Sequence, residues 1–249
     1  MDDEVSPAPE AVILTTFQLF ALPLVTAWLL LVAVRFRRST RVLVVGLLAT
    51  GLLVIAALAT GQVSVRELGL GLDRSWLSTI GLASVWLLLM LAYSPWADRL
   101  ATRWVAEPPT LDVFRALQQS RSKLLIGILV AWFLGGFLEE LVFRGIVLQS
   151  ARIVLSTWIA APLAEGIAVC IAAAGAGIIH LYQGSRAAII IVQLSILFGL
   201  LFVVSGDDLW CVILCHGLYD TIAFIRFANK TSRYSRIEDT PPRRSPNSG

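Results

Sequence analysis

The chain has 249 residues, of which 57% are hydrophobic and 15% are charged, and its mean hydropathy is +0.78. These values exclude an ordinary soluble globular domain and predict an integral membrane protein. The formal net charge is +3. Membrane topology and attraction to anionic headgroups explain the basic residues, so we expect membrane lipid and no nucleic acid as a partner.

Apolar runs that could cross a bilayer recur along the chain. A hydrocarbon core of roughly 30 Å needs about 20 apolar residues in a helix. Four runs without a charged residue meet this condition, and three further apolar segments contain polar residues. In chain order the seven segments are 11–34, 42–60, 76–93, 124–149, 166–182, 187–206 and 209–227. The sequence therefore predicts an all-α, polytopic transmembrane helix bundle of about seven spans, seven or eight.

The eighth candidate element, residues 153–161, is too short to span a membrane and is followed by Pro162. Because proline interrupts a helix, we expect this piece to be interfacial or re-entrant. The N-terminus lacks the basic region of a secretory signal peptide, and its first apolar run is too long for one. We therefore expect the first helix to be retained.

Lysine and arginine in short loops predict the orientation. They cluster between the first two spans, between the third and fourth spans, and in the tail. These residues are Arg35, Arg37, Arg38 and Arg41; Arg99, Arg103, Arg115, Arg121 and Lys123; and Lys230, Arg233, Arg236, Arg243 and Arg244. Seven spans put all three clusters on one side, which predicts the N-terminus outside and the C-terminus inside. We divide the chain into N-terminal helices with a cytoplasmic loop (1–121), a core (122–227) and a Pro-, Ser- and charge-rich tail (228–249) that we expect to be disordered.

Ionisable residues inside membrane spans cost about 2.5–3.5 kcal/mol each on insertion scales and usually mark function. Here they are confined to the fourth, fifth and seventh spans. They are Glu139, Glu140, Arg144, His180, His216 and Asp220, and they include both histidines of the chain. This clustering predicts a site in the C-terminal half.

Helical spacing distinguishes the two adjacent glutamates. Glu140 and Arg144 are four residues apart and share a helix face, which predicts a structural ion pair. Glu139 points about 100° around the helix and has no such partner. An unpaired carboxylate in a low dielectric is a candidate general base.

The two histidines have different surroundings in the sequence. His216 and Asp220 share a helix face, where a carboxylate can fix the tautomer and orientation of an imidazole, or can simply tie helices together. His180 follows a run of alanines and glycines, residues 172–177, that lets another helix approach closely. Alone it could be structural or functional, and it gains weight only beside Glu139 and His216.

Other reactive residues are weaker candidates. Cys170, Cys211 and Cys215 all lie in apolar segments, where cysteine packs as a small residue, so a thiolate metal site has little support. Ser195 and Ser205 lack the G-x-S-x-G context of a serine nucleophile. These residues therefore do not change the site prediction.

Taken together and in order, the intramembrane residues resemble the three motifs of the CPBP family, the CAAX proteases and bacteriocin-processing enzymes also called Abi proteins. The motifs are Glu139-Glu140-x-x-x-Arg144, His180 placed 36 residues later, and His216-x-x-x-Asp220. The resemblance covers roughly residues 122–227. It implies an intramembrane endopeptidase for membrane-associated peptides, of the prenylated CAAX type or leaders, that enter from the membrane or the cytoplasmic face. With the compact form of the chain, it favours the bacterial cytoplasmic membrane.

The resemblance also implies a role for each motif. Glu139 would be the general base that activates water, aided by His180. Glu140 and Arg144 would hold the first motif in shape, and the third motif would bind the oxyanion of the tetrahedral intermediate.

Two positions depart from the family pattern. The second motif usually has an aromatic residue four positions before its histidine, where this chain has Ala176, and the third motif often ends in asparagine, where this chain has Asp220. An ionised aspartate cannot donate to an oxyanion. Whether Asp220 stabilises the oxyanion or orients His216 therefore stays open.

Three alternatives remain beside the glutamate protease. Glu139, His180 and His216 could bind zinc in a metalloprotease of the same family, although no H-E-x-x-H pattern occurs, so we favour no cofactor and no metal. A proton-coupled transporter could use the same residues as a relay, but it would need polar spans in both halves. The two departures fit a catalytically silent membrane scaffold or immunity protein.

The depths of the first two motifs raise a geometric problem. Glu139 lies near the middle of a long fourth segment, whereas His180 lies near the cytoplasmic end of the fifth. We expect the fifth helix to tilt, to start late, or to extend beyond Gly184 if the two residues are to meet.

Overall fold

The computed structural model of the protein describes residues 24–29, 31–32 and 39–238. Within these ranges the chain forms helices and turns and contains no strand. The long helices are α1 (Thr40–Ala59), α2 (Trp76–Trp104), α3 (Arg121–Ser156), α4 (Ala161–Ile179), α5 (Ser185–Val204) and α6 (Leu209–Glu238). Short 3-10 segments occupy Asp112–Gln118 and Leu181–Gln183. The predicted all-α class is confirmed.

Each of these six helices contains a stretch long and apolar enough to cross a membrane. They correspond to six of the seven predicted spans, which confirms an integral, polytopic helical bundle. The predicted first span, 11–34, lies largely outside the described residues. Its residues 24–29 and 31–32 are helical, and Trp28 Nε1 donates to the carbonyl of Val42 over 3.4 Å.

The helix α3 is unusual because its middle is π-helical. Trp132–Glu139 and Leu141–Leu148 have π geometry, while Arg121–Ala131 and Gln149–Ser156 are α-helical. Such segments are rare and are found frequently at functional sites. All three ionisable residues of the first motif lie within this part of the helix or at the junction of its two segments.

The segment 153–161 is not a separate interfacial or re-entrant element. Residues 153–156 form the last turn of α3, and a turn at 157–160 leads directly into α4. Pro162 stands in the first turn of α4, where its missing N–H would have no intrahelical acceptor anyway. The proline therefore begins a helix here instead of ending one.

Only part of the tail, 228–249, belongs to the described residues. The helix α6 continues to Glu238, while 239–249 lie outside the described residues. Extending a helix that is already anchored needs no new nucleation, and the first proline of the tail is Pro241. A polar composition alone therefore does not set the end of this helix.

The loops gather at two ends of the bundle. The α1–α2 end contains residues 60–75, 157–160 and 205–208, and there Arg74 Nη2 donates to the carbonyl of Ser205 over 2.9 Å. The α2–α3 end contains residues 105–120 and 180–184. At that end the amide of Thr110 donates to the carbonyl of Gln183 over 2.8 Å.

The α1–α2 loop packs into the bundle and covers the site from that end. Leu68 is buried, and its carbonyl oxygen lies 3.2 Å from where a Cβ on Gly145 of α3 would be. The amide of Leu209, the first residue of α6, donates to the carbonyl of Gly69 over 2.8 Å. The helix α6 thus starts inside the bundle, near the level of Gly145, which carries its polar residues toward the middle of α3.

The α3–α4 hairpin resolves the depth problem. Glu139 lies 17 residues before the end of α3 at Ser156, and His180 directly follows the 19 residues of α4. Two antiparallel arms of nearly equal length bring their far ends to one level. Glu139 and His180 come to the same level because α3 continues farther than predicted, to Ser156, and the turn after it is short.

Candidate active site

Small residues let α3 and α6 approach closely at the site. A Cβ on Gly136 would lie 3.5 Å from the Cα of Gly217, and a Cβ on Gly217 would lie 2.5 Å from the ring of Trp132. Gly135 faces the third motif, since its Cβ would lie 3.1 Å from Asp220 Oδ2. Close helix contact through small residues therefore brings the first and third motifs together.

Glu140 lies between a cation and a histidine. Its Oε2 is 2.9 Å from Arg144 Nη1, and its Oε1 is 2.6 Å from His216 Nδ1. Glu140 and Arg144 are 0% and 2% exposed. The predicted Glu140–Arg144 ion pair is present, and it also reaches across to α6.

A third helix holds the guanidinium of Arg144. Its Nη2 donates to the backbone carbonyl of Ser195 over 2.7 Å and to Ser195 Oγ over 2.6 Å. The guanidinium lies 5.6 Å from the ring centre of Phe198, and that ring stacks on His216 at 4.6 Å and 25°. Side chains from α3, α5 and α6 therefore fix one another's positions.

The carboxylate that orients His216 is not the one that helical spacing suggested. Asp220 Oδ2 lies 3.5 Å from His216 Nε2, whereas Glu140 contacts Nδ1 at 2.6 Å. A carboxylate can accept several hydrogen bonds, so Glu140 serves Arg144 and His216 at once. Spacing along one helix could not reveal this contact between helices.

Glu139 has surroundings different from those of its neighbour. It is half-buried, and it makes no hydrogen bond or ion pair with any described residue. It interacts electrostatically with His180, with His216 and with Asp220. The structure thus brings the four residues predicted as catalytic into one cluster, in which the Glu139 carboxylate has no hydrogen-bond or ion-pair partner among the residues that the structure describes.

His180 is oriented by the backbone of its own helix. Its Nδ1 lies 2.8 Å from the carbonyl oxygen of Ala176. A carbonyl only accepts, so Nδ1 carries the proton and a neutral ring presents the lone pair of Nε2. The contact uses the main chain of Ala176, so the alanine at this position does not remove it.

Sequence reasoning missed Tyr182 and Gln183, which directly follow the second motif. The Tyr182 ring stacks on His180 with ring centres 6.0 Å apart and 27° between the planes. Gln183 Nε2 donates to the Tyr182 hydroxyl over 2.8 Å, and burial raises the pKa of Tyr182 to about 12. The one available signal was the position of the tyrosine, two residues after an intramembrane histidine.

The placement of potential ligand side chains in the described residues bears on the zinc alternative. Among them, no group of three or more His, Cys, Asp or Glu side chains is placed to hold a metal ion. The zinc set that the sequence left open, Glu139, His180 and His216, is not grouped in this way in the described residues. Buried Cys211 Sγ contacts the carbonyl oxygen of Thr79 at 3.6 Å, as expected for a packing residue.

A comparison with protein families gives one match. Residues 121–222, which are 102 of the 249 residues, match the family model of type II CAAX prenyl endopeptidase Rce1-like proteins. The matched segment begins at the first residue of α3 and ends two residues after Asp220, so it contains all three motifs. No curated protein and no solved structure matches the chain. The match supports the resemblance that the motifs indicated: residues 121–222 of this membrane-spanning chain are similar to Rce1-like members of the CPBP/CAAX protease family.

Proposed function

We propose that this protein is an intramembrane endopeptidase that hydrolyses membrane-associated peptides with water activated by Glu139. The family match implies a protease, and one observation supports the glutamate mechanism. Glu139 has no hydrogen-bond or ion-pair partner among the described residues and interacts electrostatically with two histidines, whereas the adjacent Glu140 pairs with Arg144 and contacts His216. Of the two carboxylates, only Glu139 is free to take a proton from water.

In the first step Glu139 accepts a proton from a water molecule while the water oxygen attacks the peptide carbonyl carbon. In this mechanism His180, whose Nδ1 donates to the backbone carbonyl of Ala176, accepts through Nε2 and orients the water. A C–O bond forms, and the carbonyl electron pair moves to oxygen. Holding the reactants in position contributes to the rate together with the proton transfer.

In the second step the oxyanion returns its electron pair and the C–N bond breaks. In this step His216 acts as an imidazolium: Nδ1 donates to Glu140, and the proton on Nε2 is directed toward the oxyanion and toward Asp220. Protonated Glu139 then gives its proton to the leaving amine. The carboxylate is regenerated, and no other reactant is consumed.

Glu140 and Arg144 are positioning residues in this mechanism. They lie behind His216, away from the reacting atoms, and fix its ring through the 2.6 Å contact with Glu140. A histidine whose orientation is fixed needs no reorganisation when charge develops on the substrate.

We propose that substrates enter from the lipid or from the α2–α3 end. The α1–α2 loop covers the other end, whereas Glu139, His180 and Asp220 remain half-buried. The basic clusters support a cytoplasmic location for the α2–α3 end of a protein in the bacterial cytoplasmic membrane. Reporter fusions at the C-terminus test this orientation, since a phosphatase that is active there would contradict it.

The first experiment is a peptide-cleavage assay with the purified protein. Wild type, Glu139→Gln and a matched control, Glu165→Gln, are compared on prenylated and unprenylated peptides, with and without a chelator. Glu165 is a half-exposed glutamate at the α1–α2 end that pairs with Arg152 at 3.4 Å. We expect Glu139→Gln to lose a factor of about 10²–10⁴ in kcat, as for a general base, and the control and the chelator to have no effect.

The other outcomes would identify the alternatives. Reversible inhibition by the chelator would replace the glutamate mechanism with a metal-dependent one. Wild-type rates in Glu139→Gln would reject Glu139 as the base. If the wild type cleaves no peptide and a cellular phenotype survives Glu139→Ala, the scaffold interpretation replaces the enzyme.

A further inference from the structure

Tyr182 lies in the 3-10 turn between α4 and α5, beside the three motifs. Its ring stacks on His180 and packs against the hydrophobic core. The phenol interacts electrostatically with Glu139 and with Asp220. Tyr182 therefore belongs to the same cluster as the proposed catalytic groups, although none of the motifs contains it.

The turn that carries Tyr182 is held by two backbone hydrogen bonds and followed by a glycine with a positive φ. The amide of Gln183 donates to the carbonyl of His180 over 2.9 Å, and the carbonyl of Gln183 accepts from the amide of Thr110 over 2.8 Å. The next residue, Gly184, has φ +99°, a conformation that favours glycine. The ring is thus positioned by the fold before any substrate arrives.

The hydroxyl of Tyr182 is a donor without an acceptor among the described residues. It accepts a hydrogen bond from Gln183 Nε2 over 2.8 Å, and its own proton has no acceptor in this part of the chain. A phenol with one lone pair occupied keeps its proton available for donation. Since burial raises the pKa of Tyr182 to about 12, the group stays protonated across the usual assay range.

The proposed reaction needs such a donor. The third motif ends in Asp220, and an ionised carboxylate cannot donate to an oxyanion as an amide would. His216 Nε2 would then be the only donor that the motifs supply. A single donor to an oxyanion contributes roughly 10²–10³ in kcat, so its absence would matter.

We propose that Tyr182 is a further catalytic residue, whose phenol O–H donates a hydrogen bond to the oxyanion and takes the role that an amide at position 220 would have. The inference rests on the proposed endopeptidase function. The bonding of the reaction is unchanged, because the phenol donates a hydrogen bond and keeps its proton.

The test compares Tyr182→Phe with Tyr93→Phe on the peptide that the wild type cleaves fastest. Tyr93 lies on α2, and its hydroxyl donates to Gln193 Oε1 over 2.9 Å, so the control loses a hydroxyl with a known partner. We expect kcat to fall about 10²–10³-fold in Tyr182→Phe with unchanged KM and unfolding temperature. The double variant Tyr182→Phe/Asp220→Asn should regain about tenfold of that loss, because an amide donor is supplied.

Three results would overturn the role. Tyr182→Phe with wild-type kcat, measured beside an inactive Glu139→Gln, would reject Tyr182 and leave the proposed function standing. An active Glu139→Gln would reject the proposed function itself. A fall in unfolding temperature in Tyr182→Phe, with no rescue by Asp220→Asn, would make the hydroxyl structural.

Discussion

Two neighbouring clusters in the bundle differ in how tightly they are bonded. The anchored cluster consists of Glu140, Arg144, Ser195 and Phe198, and its charged groups are almost wholly buried and paired. The open cluster consists of Glu139, His180, Tyr182 and Asp220, which are half-buried and have hydrogen-bonding atoms without a partner in the described part of the chain.

His216 belongs to both clusters, since Nδ1 contacts Glu140 and Nε2 faces Asp220. This difference between the two clusters matches the division between positioning residues and reacting residues in the proposed mechanism. In the proposed mechanism, the groups that act on the substrate come from the open cluster, and the groups that position them come from the anchored cluster.

The largest expected effect on stability comes from breaking the anchored cluster. Arg144→Met leaves the Glu140 carboxylate buried without its cation, and breaking a buried ion pair in this way costs about 3–5 kcal/mol. Unfolding in detergent, followed by heat or denaturant, measures this loss. Arg121→Met is the matched control because Arg121 is exposed at the start of the same helix.

The same measurement sharpens the comparison with the open cluster. Glu139→Gln should unfold at the same temperature as the wild type, because Glu139, unlike its neighbour Glu140, is not part of the buried pair with Arg144. The double variant Arg144→Met/Glu140→Gln should recover part of the loss, because the uncompensated charge is gone. Equal stability of Arg144→Met and wild type would show that the pair is not a support.

A smaller effect on stability is expected from a substitution at the crossing of α3 and α6, which brings the two clusters together. A Cβ at Gly217 would lie 2.5 Å from the Trp132 ring, so Gly217→Ala must move the ring, whose Nε1 donates to Thr221 Oγ1 over 3.0 Å. Overpacking of this kind costs about 1–3 kcal/mol, and activity should fall as α3 and α6 separate.

The control for this substitution is Gly81→Ala, because a Cβ at Gly81 meets no atom within 4 Å. Unfolding temperature and Trp fluorescence are measured for both variants. If the two alanine variants behave alike, the close crossing of α3 and α6 does not limit the site.

The smallest expected effect is that of Asp220→Asn in the otherwise unchanged protein. Glu140, and not Asp220, makes the short contact with His216, so neutralising Asp220 should leave the histidine oriented. The new amide can also donate to the oxyanion. We expect kcat to stay within about tenfold of wild type, or to rise, in the peptide assay. A loss beyond a hundredfold would assign the orienting role to Asp220, with Asp98→Asn as the distant control.

The sequence predicts the bundle and the membership of the site well. Apolar runs set by bilayer thickness locate six spans, and the rarity of charge inside them singles out residues such as Glu139 and His216. The Glu140–Arg144 pair follows from spacing along one helix.

Contacts between helices could not be predicted in this way. The contact of His216 with Glu140 depends on the depth at which α6 begins, which the α1–α2 loop sets through its buried residue Gly69. Tyr182 was overlooked because a neutral phenol costs little in a membrane and so does not stand out among apolar residues. The π-helical part of α3 could not be predicted because a search for α-helical periodicity does not distinguish a π-helix.

The number of residues in each arm of the α3–α4 hairpin determines whether the first two motifs lie at the same level. An insertion in either arm would slide one motif past the other by about 1.5 Å and rotate it by about 100°. The connecting turn is a different matter, since Thr157 and Trp158 are exposed and extra residues there can bulge into solvent. Changes of length should therefore be tolerated at 157–160 and harmful between Glu139 and Ser156. The turn is the reference point from which the lengths of both arms are measured.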